Sequence, residues 1–296
     1  MSVNKIIKEY KKVYNLFKRQ GLSRDTVLFT DSKGFSLDRI VPDSISDKFH
    51  IVAKSGATAS NDEHLKTLFA KLEELKTKDP IILIWFGTCE ITTKGKYIYL
   101  RNYPYQNIES ILTGYRDLRD KILAKFKYVT IIFLDCPYYS ITIFNKKIRD
   151  REEKKNKDKL DQNNNQTKST NFSLVVKKYK GTRIVTKKDK NKRHYPALVI
   201  DKTKRYRSVT QASSLDKELC YQVDYYNRQL KLLNKKYRAP RFSQDQIISN
   251  KPKNKTRVRY RKNYKLLSDG IHPNRTLAKL WVYKMVELSL EVSETC

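Results

Sequence analysis

The chain has 296 residues and a formal net charge of +32, from 63 Lys and Arg against 31 Asp and Glu. Its hydrophobic fraction of 39% supplies enough apolar surface for one large domain, or one domain with an appendage. No apolar run approaches the length of a membrane-spanning helix, the longest being Ile81–Phe86 and Val129–Leu134.

The N-terminus leads into an amphipathic pattern and not into a signal-peptide apolar region. The four cysteines (Cys89, Cys136, Cys220 and Cys296) have neither metal-ligand spacing nor a dense disulfide framework. These features together point to an intracellular, reduced protein, and no cofactor or metal is expected. A field of this sign draws polyanions, nucleic acid or anionic membrane to the surface. A lysine-rich bias from AT-rich coding accounts for the same charge.

In chain order, residues 1–22 carry an amphipathic helix, with Ile6, Ile7, Tyr10, Val13, Tyr14 and Phe17 on one stripe. Thr26–Thr30 reads as a buried strand and His50–Ala53 as a second short one. Asn61–Lys76 reads as a helix, with Leu65, Leu68, Phe69, Leu72 and Leu75 at helical spacing. Ile81–Phe86 is a central strand. Asn107–Phe126 is a helix with Ile108, Ile111, Leu112, Tyr115, Leu118, Ile122 and Leu123 on one face. Val129–Leu134 is another central strand. Continuous Val/Ile/Leu strands between amphipathic helices predict an α/β fold, with a central parallel sheet covered on both faces.

Residues 146–214 break the pattern and read as a basic insertion. Lys146–Arg207 holds 22 Lys and Arg against 7 Asp and Glu. Its first part is expected to extend a helix and its middle, with the polar tract Gln162–Gln166, to be disordered. Phe172–Tyr179 and Tyr195–Ile200 are candidates for a hairpin. The core then resumes over residues 215–296. Leu215–Tyr237 reads as a long helix, Arg241–Ile248 as a weak edge strand, and Asn250–Lys262 as a second basic loop. Thr276–Leu290 reads as a final helix with Leu277, Leu280, Trp281, Met285 and Leu288 inward.

Three small or reactive residues fall just past three strands: Ser32, Gly56 and Gly87. In an open parallel sheet those ends share one edge, where ligands bind. Asp269 and His272 lie in the loop before the last helix and can reach the same edge. An alcohol, an imidazole and a carboxylate are the groups that acyl transfer requires. Alternatively Ser32 or Asp269 caps a helix, His272 is structural, and Gly56 only makes a turn. Cys89 reads as a small buried residue, with nothing nearby in sequence to lower its pKa. Glu90 is placed either at the rim of the site or in solvent. His50, His64 and His194 show no metal spacing.

These blocks resemble the SGNH (GDSL-type) hydrolases over residues 23–145 and 215–290. Thr30-Asp31-Ser32 looks like the first block, with Ser32 as nucleophile. Gly56 in Ser55-Gly56-Ala57-Thr58 matches the oxyanion glycine of the second. Gly87-Thr88-Cys89-Glu90 aligns with the third, and Asp269 with His272 matches the Asp-x-x-His of the last. The resemblance implies a three-layer α/β/α sandwich of SGNH/flavodoxin-like type and ester hydrolysis through an acyl-serine. It also implies oxyanion or substrate contacts at Gly56, Gly87 and position 89. Two departures stand out: Thr30 replaces the usual first-block glycine, and Cys89 replaces the asparagine whose amide donates to the oxyanion. Losing one such donor costs roughly 2.7–4 kcal/mol.

A second function class follows from the charge. Tyr179, Tyr195, Tyr206, Tyr260 and Tyr264 alternate with cations, a pattern suited to single-stranded nucleic acid. Lys177, Lys178, Lys187, Lys188, Arg193, Arg205, Arg207, Arg257, Arg259 and Arg261 are the candidate RNA or DNA contacts, mostly to phosphate. SGNH-like domains joined to basic segments occur in some eukaryotic mobile elements, and this chain is similar in that fusion.

Overall fold

The computed structural model describes residue 8, residues 21–101 apart from 76 and 78, and residues 104–176, 202–234, 236–250 and 259–295. The N-terminal helix expected over residues 1–22 therefore lies outside the described residues, save Lys8. Two compact units divide the chain: Met1–Phe144 with Ala212–Cys296, and Asn145–Gln211.

In the first unit, strands β1 (Thr26–Thr30), β2 (Phe49–Ala53), β3 (Ile81–Trp85) and β6 (Thr130–Phe133) form one parallel sheet in the order β2-β1-β3-β6. All five residues of β1 and of β3 are buried. That matches their continuous apolar sequence, since a sheet covered on both faces shows no polar alternation.

Register assigns the faces. Phe29, Ile84 and Phe133 are paired neighbours and so share one face. There Phe29 packs on His64 at 4.3 Å between ring centroids, and Phe133 packs on Tyr115 at 5.3 Å. His64 belongs to α2 (Asp62–Glu74) and Tyr115 to α4 (Pro104–Lys125). Trp85 points to the opposite face. It meets Trp281 of α8 (Arg275–Glu294) at 5.3 Å and Phe242 at 5.2 Å. Helices thus cover both faces of a central parallel sheet, and the protein is α/β.

The helices follow their patterns closely. Asn61 caps α2, accepting the His64 N–H at 2.9 Å, with Asp62 and Glu63 in the first turn. All five residues expected inward on α8 are buried. On α4 the expected face is buried except Leu123, which is 38% exposed.

The edge strand β6 is closed by side chains of α6 (Lys202–Leu233) and the residue after it. Asn234 accepts the Phe133 N–H at 2.9 Å and donates to the Phe133 carbonyl at 2.7 Å. Asn227 does the same for Cys136, at 2.7 and 2.8 Å. Two carboxamides thereby replace the hydrogen bonds that a further strand would supply.

Three elements differ from the sequence expectations. Arg241–Ile248 is no edge strand: α7 (Phe242–Asp245) is a short helix, and β7 (Ile247–Asn250) pairs antiparallel with β8 (Arg259–Lys262) in a separate ribbon. The end of the expected basic loop is therefore strand. A hairpin not foreseen, β4 (Thr92–Lys94) with β5 (Ile98–Leu100), follows the short helix α3 (Thr88–Ile91). Helix α5 (Ile141–Val176) contains Gln162–Gln166 and Phe172–Val176, so that tract is helical and Phe172 begins no strand. Tyr195–Ile200 lies outside the described residues. The second unit, taken by itself, is helical up to Val176 and again from Lys202. Among the described residues no helix is long and apolar enough to cross a membrane.

Asn227→Leu leaves the Cys136 N–H and C=O unpaired in a buried place. Each such group costs about 1–3 kcal/mol. Urea denaturation is expected to show a loss of about 3 kcal/mol, against a few tenths for an exposed change such as Lys66→Gln.

Candidate active site

Chain direction brings the ends of β1, β2 and β3 to one edge, at the point where strand order reverses. The turn after β1 is held from beneath. Lys33 is fully buried, its ammonium paired with the Asp31 carboxylate and 3.1 Å from the Thr88 hydroxyl. The ammonium also stands 5.2 Å from the centroid of the Trp85 ring. Asp31 accepts the Lys33 N–H at 3.0 Å through its other oxygen. Removing one partner of a buried ion pair typically costs about 3–5 kcal/mol, so the residues flanking Ser32 are firmly placed. Ser32 itself is half-buried. It caps nothing: α1 (Gly34–Asp38) has Lys33 at its N-cap and no side-chain cap bond.

The second half of the site is the loop 267–273. Gly270 has φ of 97°, and a Cβ there would lie 2.9 Å from Ser140 O and Phe144 N. Only glycine permits both the turn and this close approach. The Gly270 carbonyl accepts the Ser140 N–H at 2.8 Å, which ties the loop to the start of α5. Asp269 Oδ1 accepts the backbone N–H groups of Ile271 and His272 at 2.9 and 2.8 Å. Its Oδ2 lies 2.7 Å from His272 Nδ1. The helix cap is supplied elsewhere: Asn274 accepts the Leu277 N–H at 3.0 Å.

His272 Nε2 is 3.0 Å from Ser32 Oγ, across 240 positions of sequence. Burial alone would raise the Asp269 pKa, but the His272 ring and the two backbone N–H groups outweigh it and hold the carboxyl down at about 2. A carboxylate only accepts, so Nδ1 carries a proton, and in the neutral ring Nε2 presents its lone pair to the hydroxyl. The structure thus gathers Ser32, His272 and Asp269 in a hydrogen-bonded row.

A cavity of about 430 Å³ opens beside this row, lined by Ser32, Ser55, Gly56, Thr58, Thr88, Cys89, Thr92, Thr93, Lys94, Ile98, Arg101, Phe144, Ile271 and His272. Gly56 and Cys89 face it. Gly87 does not line it; with φ of 124° and Cys136 Sγ 2.7 Å from where a Cβ would stand, it is a turn and packing glycine. The backbone N–H groups of Ser32 and Gly56 donate to no other described residue. Burial, with the Asp31 charge, pushes the Cys89 thiol up to about 11, so it is no thiolate at neutral pH.

Glu90 lies neither at the rim nor in solvent. It is 7% exposed and accepts the Ala59 N–H at 2.6 Å, tying α3 to the loop that carries Gly56. Burial pushes its pKa up to about 7, against the opposing pull of the Ala59 N–H and of Arg101.

Of the histidines, His64 is buried and hydrogen-bonds the Thr30 carbonyl at 2.9 Å, and His50 lies 3.4 Å from Asp25. His194 lies outside the described residues, as do Lys177, Lys178, Lys187, Lys188, Arg193 and Arg257. Arg205 and Arg207 fall in α6, and Arg259 and Arg261 in β8, where Arg261 is exposed. Among the described residues no group of three or more His, Cys, Asp and Glu is placed to hold a metal ion. The chain matches no protein-family model and no curated protein.

Lys33, Arg101 and the β4–β5 hairpin are site features that the sequence patterns did not reveal. Lysine is almost never buried unless paired. The one available signal for Lys33 was an acid two positions earlier in a strand-to-helix turn.

Glu90 makes stability depend on pH. Between its ordinary value of 4.5 and about 7, the folded state holds a proton that the unfolded state has lost. Its contribution is therefore full below about pH 4.5 and falls as pH rises through 7. Wild type is expected to lose up to roughly 3 kcal/mol more than Glu90→Gln between pH 4.5 and 8, measured by urea midpoints at each pH. Equal pH slopes for the two proteins would refute this.

Proposed function

We propose that the chain is a serine hydrolase of SGNH type that cleaves an ester bond through an acyl-serine. The observation that carries this reading is the row of contacts Ser32–His272–Asp269, at 3.0 and 2.7 Å, on the wall of a cavity. Supporting it are the parallel sheet with helices on both faces, which fits a three-layer α/β/α sandwich of SGNH/flavodoxin-like type, and the block order Ser32, Gly56, Gly87–Glu90, Asp269/His272 along the chain.

In the proposed reaction the Ser32 hydroxyl attacks the ester carbonyl carbon while its proton passes to His272 Nε2. Asp269 keeps Nδ1 protonated and stabilises the imidazolium that forms. The free backbone N–H groups of Ser32 and Gly56 donate to the tetrahedral oxyanion. Collapse breaks the bond to the alcohol, which takes the proton from His272 and leaves an acyl-Ser32. Water then attacks the acyl carbon with His272 as base, and the acid departs, regenerating the serine.

Cys89 is the weak part of this machinery. A thiol at the position of the family's asparagine is a poor hydrogen-bond donor, so transition-state stabilisation rests on backbone groups. On this reading Cys89→Asn restores a donor. A full oxyanion donor is worth about 100- to 1,000-fold in turnover.

A second reading, compatible with the first, is binding of RNA or DNA by the basic segments. Favouring it, residues 146–159 of α5 carry eight Lys and Arg against four acids and are almost all exposed. Binding to a single-stranded oligonucleotide should weaken steeply with salt, and deleting residues 146–207 should largely abolish it. Full affinity in the deletion would remove this reading.

Purified protein is expected to hydrolyse short p-nitrophenyl esters and to be labelled by a fluorophosphonate at Ser32. Ser32→Ala should abolish both, and Asp269→Asn should lower kcat by about 10³- to 10⁴-fold. Cys89→Asn should raise kcat by about tenfold or more. A folded wild type inert to esters and to fluorophosphonate alike would end the hydrolase proposal.

A further inference from the structure

Beside Ser32 and His272 the cavity lining combines three apolar side chains (Ile98, Phe144 and Ile271) with two cations, Lys94 and Arg101. Both cations belong to one local device: Lys94 ends β4 and Arg101 directly follows β5. The Arg101 guanidinium is fixed on backbone, donating from Nη2 to the Cys89 carbonyl at 3.1 Å and from Nε to the Thr92 carbonyl at 3.4 Å. A guanidinium has five N–H donors, so these contacts leave donors over. The Lys94 ammonium stands 5.9 Å from the Phe144 ring centroid.

Among the described residues neither cation lies within ion-pair distance of a carboxylate. Several other lysines do have such partners: Lys54 with Glu63, Lys71 with Glu74, Lys121 with Asp62 and Lys125 with Glu73. Glu90, the acid whose charge Arg101 influences, is buried and turned to the Ala59 N–H. Two cations without counter-charge, one of them pinned, therefore face the space in which a substrate of Ser32 would sit. Guanidinium and ammonium groups so placed pair with carboxylate or phosphate oxygens, and Arg does so in a fixed fork.

We propose that Lys94 and Arg101 form an anion subsite, so that the ester taken by Ser32 carries an anionic oxyacid group, a carboxylate or a phosphate, that docks against the β4–β5 hairpin. This rests on the serine-hydrolase reading for the chemistry, but not for the binding. Ile98 and Phe144 give the intervening hydrocarbon an apolar surface, and the negative charge selects among otherwise similar esters.

The test uses matched esters and the full chain. Mono-p-nitrophenyl glutarate is compared with p-nitrophenyl valerate, placing the anion on the acyl side. Then 4-acetoxybenzoate is compared with its methyl ester, placing it on the alcohol side; the favoured pair shows which side faces the hairpin. Wild type is expected to prefer the anionic member of at least one pair by about ten- to a hundredfold in kcat/KM. Arg101→Gln and Lys94→Gln should each cut that ratio by about tenfold, whereas Lys66→Gln, on the exposed face of α2, should leave it as in wild type. That control separates a local subsite from the general field of a chain with net charge +32.

Equal kcat/KM within both pairs, or a preference that survives both site substitutions, would overturn the proposal. A fall in the ratio as large for Lys66→Gln as for Arg101→Gln would do the same. Calorimetric titration with glutarate reads the subsite without turnover. Should no ester be cleaved, glutarate binding that is lost in Arg101→Gln upholds the anion subsite while the hydrolase reading falls. With no cleavage and no such binding, both fall.

Discussion

A strand buried on both faces must pair its backbone within the protein, and Ile81–Trp85, at the middle of the sheet, does so with a strand on either side. Its partners on either side run parallel to it, so every strand of the sheet ends at the same edge. The consequences are chemical. Ser32, Gly56 and Thr88 come from three separate strand ends, yet they line one cavity because crossover connections return each strand in the same direction. Beneath them Thr88, at the exit of β3, holds the Lys33 ammonium at the exit of β1. The turn that presents Ser32 is thereby fastened to the central strand and not only to its own.

Around this edge the protein shifts the pKa values of similar carboxyl groups in opposite directions, and the balance of burial against donors and charge decides which. Asp269 receives two backbone N–H groups and an imidazole N–H; these overcome partial burial and keep it ionised. Glu90 is more deeply buried and accepts one backbone N–H, and burial prevails. Asp135, fully buried, accepts the Phe242 N–H at 2.6 Å and the Ser243 hydroxyl at 2.9 Å and still has its pKa pushed up to about 7 by burial. The charged group stands where an imidazole has to be held in one tautomer. The two with raised pKa values stand where loops are tied down, Glu90 to the Ala59 N–H and Asp135 to Phe242 and Ser243. Such a division follows from solvation, hydrogen-bond supply and neighbouring charge.

Much of this was legible in the chain because burial leaves a mark on composition. The continuous apolar runs Thr26–Thr30 and Ile81–Phe86, and the stripe of Leu277, Leu280, Trp281, Met285 and Leu288, announce elements packed on a core. The structure ends them within a residue or so on β1 and β3, and within a few residues on α8. The meeting of Ser32 with Asp269 and His272 followed from strand polarity and the position of one loop. What stayed hidden carries no such mark. The strands of the β4–β5 hairpin have three residues each, too few for alternation to register. Arg241–Ile248 mixes apolar and polar residues, and its first part turns into α7 because Asp135 takes up the Phe242 N–H and Phe242 packs between Trp85 and Trp281. Leu123 fits the stripe of α4 but is 38% exposed, on the wall of a surface groove shared with Val129 and Leu233. Lys33 had every appearance of a surface lysine. Its burial depends on Thr88 and Trp85, which come from another strand.

The placement of charge bears on how a tetrahedral anion would be held on the proposed reading. Lys33 lies close below the site but is spent on Asp31, so the pair contributes rigidity more than net field. Asp269 is negative and sits behind the imidazole, where its charge works against any anion nearby. Cys89, facing the cavity as a neutral thiol, adds neither charge nor a strong donor. The positive field in the cavity thus falls to Lys94 and Arg101, both carried by the hairpin. Arg101 is anchored on the very carbonyl of Cys89, so a residue that faces the cavity positions a cation through its backbone. In a concave site walled by protein, such a cation acts at lower effective dielectric than in water. On the proposed reading the hairpin is therefore part of the electrostatic design of the site, which makes the local balance of charge matter beside the total of +32.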